Sequence, residues 1–201
     1  MPIELTEMQK SALTEAANIG SGHAARVLSE IMGRKVMIKI PSIEILTFEE
    51  LSLGMKSKGD LIGAGISVNG DIQASLTFVM KKAIAGFLCN MLMHKKESTS
   101  ELSSERERSA IAEIGNIITS SYMSAISQLT GLSAAISTPK IFLKEADLAK
   151  AIKKSAGKSN CSDGMMCVKT VFTQIEMNVE GYLVFIPSQN SLGVILNALK
   201  V

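Results

Sequence analysis

Apolar residues recur near a 3.6-residue period over residues 7–32, at Leu13, Ala16, Ala17, Ala24, Val27, Leu28 and Ile31, which predicts a long helix. Gly33 is its expected stop. Residues 35–46 (KVMIKIPSIEIL) alternate like a strand until Pro41. A proline has no N–H for the ladder, so this strand belongs at an edge or breaks there. A short helix over 47–54 is expected next. Residues 60–69 and 71–80 read as a hairpin turning at Asn69-Gly70, the pair that type I′ turns prefer. A helix over 82–94 follows. The pattern then runs again: helix 103–131, strand 133–143, helix 144–155, strands 165–176 and 179–186, and helix 188–199. Pro187 stands just before the last helix, where its missing N–H costs least.

The second run is a copy of the first. Segment 11–41 aligns with 109–139 at a constant offset of 98. The identities include Glu15/Glu113, Asn18/Asn116, Gly33/Gly131 and Pro41/Pro139. A later block, with Phe78/Phe185 and Asn90/Asn197, aligns at an offset of 107. The nine-residue difference falls in the polar stretch 156–164. The chain therefore reads as one domain of two homologous halves, 1–98 and 99–201, joined by the Ser-rich hinge KKESTSELSSE. The expected fold class is α/β (α+β), with duplicated α-β-α-β-β-α halves and pseudo-two-fold symmetry. The strands should join in a largely antiparallel sheet, with the long helices packed on it.

Composition narrows the chemistry. Of 201 residues 46% are hydrophobic, only 4% are aromatic and none is Trp, so the core is aliphatic and uses the 12 Met as filler. A chain of this length buries roughly 70% of its extended surface and needs no disulfide or metal to fold. Twenty-one basic against 19 acidic residues leave +2, with no footprint for nucleic acid. The pairs Lys81-Lys82, Lys95-Lys96 and Lys153-Lys154 read as solvated surface. The start lacks a signal-peptide pattern, and the apolar stretch Ala83–Met93 is far short of the ~20 residues that span a bilayer. A cytoplasmic protein without membrane insertion is the expectation. Cys89, Cys161 and Cys167 are too few and scattered for a disulfide framework or a zinc site, and Cys89 reads as core. There are two His, His23 and His94, and no GxxxxGK[ST], GxGxxG or HExxH. An enzyme built from this chain works with carboxylates, amides and backbone.

One polar stripe fits that description. Ser11, Glu15, Asn18 and Gly22 are spaced 4, 3 and 4, which lines them along one helix face. Glu105, Ser109, Glu113, Asn116 and Ser120 repeat the stripe in the second half. A single Glu-x-x-Asn is ordinary helix surface. Two copies holding E-x2-N-x22-P after a duplication point to work done by each. An Asn amide offers one acceptor and two donors and does not titrate, so it suits holding a water in line with an electrophile. That is the part a Gln plays in GTPases. A Glu beside it can dock a cation of a partner. Glu, Asn and Ser make a poor metal site, so the electrophile and any Mg²⁺ should arrive with the partner. His23, His94, Asn90 and Asn197 read as surface, packing or helix-end residues.

The pattern S-x3-E-x2-N-x22-P, present at Ser11, Glu15, Asn18 and Pro41 and again at Ser109, Glu113, Asn116 and Pro139, resembles the CheC/CheX/FliY family of chemotaxis phosphatases. The resemblance covers essentially the whole chain and matches the duplicated, CheC-type form of the family. CheX keeps one motif, and the additional C-terminal domain of FliY is not expected in a chain ending at Val201. The resemblance implies a pseudo-two-fold α/β fold and hydrolysis of the aspartyl phosphate of the response regulator CheY. It implies that Asn18 and Asn116 position the attacking water and that Glu15 and Glu113 pair with a regulator Lys. Ser11, Pro41, Ser109 and Pro139 would support them. The Mg²⁺ would be the regulator's, with no cofactor held by this chain. A second partner, the deamidase CheD, would bind the helix at about 144–155. Two working sites are expected, though not equal ones, since Gly20-Ser21-Gly22 follows the first Asn and Ile118-Thr119-Ser120 the second. The alternative is a non-enzymatic adaptor that holds CheD or the regulator.

Overall fold

In the computed structural model helix α1 spans Glu7–Met32, with ends supplied by local chemistry. The Thr6 hydroxyl accepts from the Gln9 N–H at 3.2 Å while the Gln9 side chain accepts from the Thr6 N–H at 3.0 Å, a complete capping box. Gly33 closes the helix in the left-handed conformation at φ 62°. The structure describes residues 5–56, 60–92, 105–158, 165–174, 177–188 and 190–201.

After α1 come β1 (Met37–Leu46), α2 (Phe48–Lys56), β2 (Leu61–Gly70), β3 (Ala74–Lys81) and α3 (Lys82–Leu92). The second half repeats the order with α4 (Glu105–Thr130), β4 (Ala134–Ile136), β5 (Lys140–Phe142), α5 (Glu145–Lys158), β6 (Met165–Gln174), β7 (Met177–Pro187) and α6 (Ser191–Ala198). Helices α1 and α4 are each 26 residues long and start 98 positions apart, the offset of the repeat. The nine extra residues of the second half begin as the last turn of α5, which has 14 residues against 9 in α2. Residues 159–164, with Cys161, lie outside the described residues, as do His94 and the hinge at 95–104.

The described strands form one antiparallel sheet in the order β1-β6-β7-β3-β2-β4, with β5 also pairing β2. The halves are interlocked in it. The first half's β1 pairs with the second half's β6, and the second half's β4 and β5 pair with the first half's β2. Both prolines do what their missing N–H dictates. Pro41 sits in the register shift between Lys39 and Ser42 on edge strand β1. Pro139 sits in the gap between β4 and β5 on the opposite edge, where the pairing to β2 also shifts by one residue.

The hairpin departs from expectation. Asn69 and Gly70 do not form a two-residue turn; they continue β2 and pair with Ala135 and Ala134. The chain turns instead over Asp71–Gln73. Asp71 anchors this turn, its carboxylate accepting from the Ser133 N–H and hydroxyl, each at 2.8 Å. Pairing to a third strand outweighs the local turn preference.

Two layers of helix cover the sheet. One face carries α1, α3 and α4, whose Leu28, Ile111, Ile114 and Ile118 join Leu76, Phe78, Leu183 and Phe185 in the main core. On the other face α5 sets Leu148 and Ile152 against Val79, Val184 and Ile186, together with Leu51 of α2. Alternate residues of β3 and β7 thus serve opposite faces. Cys89 is fully buried in the main core.

Candidate functional site

The buried arc of α1 holds Leu13, Ala16, Ala17, Gly20, Ser21, Ala24 and Leu28. The stripe residues Ser11, Glu15, Asn18 and Gly22 are all exposed. In α4, Ala110, Ile111, Ile114, Ile117 and Ile118 are buried, Ser109 and Glu113 are exposed, and Asn116 is half-buried. The hydrophobic period therefore sets the rotation of each helix and leaves the Glu and Asn outward.

Close approach fixes where the helices meet. A Cβ added at Gly20 would lie 2.8 Å from the Tyr122 Cα and 3.2 Å from the Ser121 carbonyl oxygen. Leu13 and Ala16 share a small space with Ile126, so positions run in opposite directions along the contact and the helices are antiparallel. On the sheet side Gly115 lets α4 settle on β2, since a Cβ there would meet the Ala64 Cβ at 2.5 Å. Two residues along a helix is a rotation of about 200°. Gly20 faces α4, so Asn18 and Gly22 face away from it. Asn116, about one and a half turns before the Ser121–Tyr122 contact, is likewise turned from α1. The two Glu/Asn stripes thus lie on opposite flanks of the helix pair.

Local hydrogen bonds hold the helices at the stripes. The Ser21 hydroxyl donates to the Asn18 carbonyl at 2.8 Å, and Ser109 donates to the Glu105 carbonyl at 3.0 Å. The second stripe borders a cleft of about 570 Å³ lined by Leu92, Glu105, Arg106, Ser109, Ala110 and Glu113. Arg106 was not singled out from the sequence. It lies two turns from Glu113, where the first helix has the exposed Met8. Comparing the halves position by position shows this difference. Among the described residues no group of three or more His, Cys, Asp or Glu could hold a metal ion. His23 is half-buried, Asn90 is buried and Asn197 is exposed.

The fold and the paired stripes can now be set against known proteins. A family model described as the CheC-like family matches residues 8–45 and 107–143, and each segment spans Ser, Glu, Asn and Pro of one motif. The CheY-P phosphatase CheC of Bacillus subtilis (strain 168) is 30% identical over 143 residues, 69% of this chain and 68% of that protein. This chain belongs to the CheC-like family. The flagellar motor switch phosphatase FliY of Bacillus subtilis is 23% identical over 84% of this CheC-like chain and 43% of its own length. Thermotoga maritima FliY has the same fold, with a TM-score of 0.81 at 21% identity and 98% of each chain covered. A chain in the crystal structure of the FliG–FliM complex from H. pylori shares the fold at a TM-score of 0.73 and 12% identity, over 94% of this chain and all of that one. The CheC-like chain is thus homologous to one protein named as a CheY-P phosphatase and to another named as a flagellar motor switch phosphatase. Among the described residues no helix is long and apolar enough to cross a membrane.

Proposed function

We propose that this protein hydrolyses the aspartyl phosphate of a CheY-type response regulator, using Asn18 with Glu15 and Asn116 with Glu113. The observation that carries the reading is the placement of both pairs. Each Glu–Asn pair is on the solvent side of a long, buried-face helix, at equivalent positions, in a chain 30% identical to a CheY-P phosphatase. A rigid helix lets a short amide enter a neighbour's active site without ordering a loop.

In this mechanism the Asn amide orients a water in line with the phosphorus. The water oxygen forms the new P–O bond, the bond to the aspartyl oxygen breaks, and the regulator regains its carboxylate. The water's proton leaves on the inorganic phosphate. Asn holds no proton to exchange, so its contribution is orientation and hydrogen bonding. Glu15 and Glu113 dock a regulator Lys, which sets register and encounter. A Mg²⁺ held by the regulator would supply the charge that neutralises the phosphoryl oxygens, with no ligand to it from this chain. A cytoplasmic location is part of this proposal. CheD is proposed as a second partner on the helix at 144–155.

The test is loss of phosphate from the phosphorylated regulator with and without this protein. Acceleration is expected, and it should vanish in Asn18→Ala/Asn116→Ala with folding intact. A second reading, an adaptor that docks CheD or the regulator without hydrolysis, is favoured by the fold's occurrence in the FliG–FliM complex. It prevails if the regulator binds but keeps its phosphate at the uncatalysed rate, with CheD present or absent.

A further inference from the structure

A cavity of about 710 Å³ lies between α5 and β5 at the sheet edge, and Arg108 near the start of α4 reaches its rim. Its floor is the β2–β3 pair, where Gly65 lies opposite Thr77 and Ser67 opposite Ser75. These positions hold small or hydroxylated residues where a covered sheet would carry aliphatic ones. Beside them, Gly63 does touch α5, since a Cβ there would meet Leu148 at 2.7 Å. At Gly65 the Phe142 ring lies over the sheet instead, since a Cβ there would meet it at 2.9 Å, and the polar floor continues past it at Ser67 and Ser75.

The rim is basic. Arg108, Lys140, Lys144, Lys150 and Lys154 all line the cavity, against the single carboxylate of Asp147. Lys150 and Lys154 are one turn apart on α5 and face the groove together. These six residues sum to +4, whereas the whole chain carries +2, so the remainder is −2. Among the described residues none of the five cations is held in an ion pair. The Lys140 ammonium lies 5.8 Å from the centre of the Phe142 ring, which closes one end. The sequence alone had Lys153-Lys154 as plain solvated surface. The fold separates the pair: Lys153 sits 5.7 Å from the Phe48 ring while Lys154 turns into the groove.

We infer that this groove binds a compact polyphosphate, independently of the phosphatase reading. Several cations converging on one concave, hydroxyl-floored space suit a small ligand with several adjacent charges. Lysines act on phosphate as point charges, and Ser67 and Ser75 offer hydrogen bonds to its oxygens. The volume lies within the 300–1,000 Å³ of small-molecule sites. The polyphosphate can be free or carried by a nucleotide.

The experiment is calorimetric titration of the full chain with inorganic pyrophosphate, ATP and adenosine, without regulator or CheD. Saturable one-to-one binding of pyrophosphate and ATP, with none of adenosine, is expected. Equal affinities identify free polyphosphate as the ligand, and tighter ATP identifies a nucleotide. Lys150→Glu/Lys154→Glu should lose about tenfold or more in affinity, as removal of charge-assisted contacts does. Both residues are exposed, so folding should hold, which circular dichroism checks. Arg34→Glu/Lys200→Glu, the same charge change outside the groove, should bind as the parent does. The proposal is overturned if pyrophosphate does not saturate at millimolar concentrations. It is equally overturned if the Lys150/Lys154 variant binds unchanged, or if both double variants weaken binding alike.

Discussion

Thr77 lies directly opposite Val184 in the β3–β7 ladder, and Val184 is the residue that the repeat makes equivalent to Thr77. A residue paired with its own counterpart marks the pseudo-two-fold axis, which passes through the middle of the sheet. On either side of it Leu76 faces Phe185 and Phe78 faces Leu183, the same two positions exchanged. The first strand of each half is carried across to the hairpin of the other.

That exchange has a consequence for the isolated halves. Residues 1–98 alone keep β1 with no strand to pair, and their β2 loses both β4 and β5. Unpaired strand edges and half of the main core would then face water. The two halves expressed separately should therefore be unfolded or aggregated, and should regain structure when mixed. Circular dichroism and size-exclusion chromatography of each half and of the mixture check this.

The opposite flanks of the helix pair make a prediction about stoichiometry. Asn18 and Asn116 face away from each other, so a regulator on one should not block the other. Two regulators should bind per chain in titrations with a stable phosphoryl mimic. Asn18→Ala and Asn116→Ala should each remove the contribution of one site and add independently. The double variant should fall by about 10²-fold or more, the usual loss when a positioned hydrogen-bonding group is removed.

Two neighbouring glycines should respond with opposite signs. Gly20→Ala puts a Cβ against the backbone of Tyr122, which cannot swing aside, and overpacking of this kind costs about 1–3 kcal/mol. At Gly22 an added Cβ meets nothing within 4 Å, so Gly22→Ala should gain up to about 1 kcal/mol of helix propensity. Urea unfolding of the two variants reads both effects.

The two glycines also mark where the sequence was legible and where it was not. Gly20 and Gly22 look alike in the chain, as two interruptions of a helix. Only the packing of α4 separates a required contact from an open position. Helix α1 was readable to the residue because Leu13, Ala17, Ala24 and Leu28 keep the period and Gly33 ends it. The edge position of Pro41 followed from a missing N–H, whereas the single strand expected over 133–143 is broken at Pro139 into β4 and β5. Asn69-Gly70 misled because its turn preference is local, while its pairing partners Ala134 and Ala135 are over 60 residues away. The Glu/Asn stripes stood out through their repetition. The groove did not, because Arg108, Lys140 and Lys150 belong to three elements that only the fold brings together.

The Asp71 anchor gives the fold a pH dependence of definite sign. The Ser133 N–H, and after it the Ser133 hydroxyl, hold the Asp71 carboxyl below its usual value. A depressed carboxyl contributes stability that is fully present above the unfolded value, about 3.9, and fades as pH falls through the lower folded one. The anchor should thus matter at neutral pH and disappear only in strong acid. Asp71→Asn removes the charged acceptor while keeping the shape. It should lower stability at pH 7 and shrink the difference from the parent below about pH 4. Urea midpoints from pH 2 to pH 8 measure this, and a parent–variant difference that grows as pH falls would contradict it. Ser133→Ala should weaken the same acid dependence while leaving Asp71 in place, because the backbone N–H of residue 133 still donates.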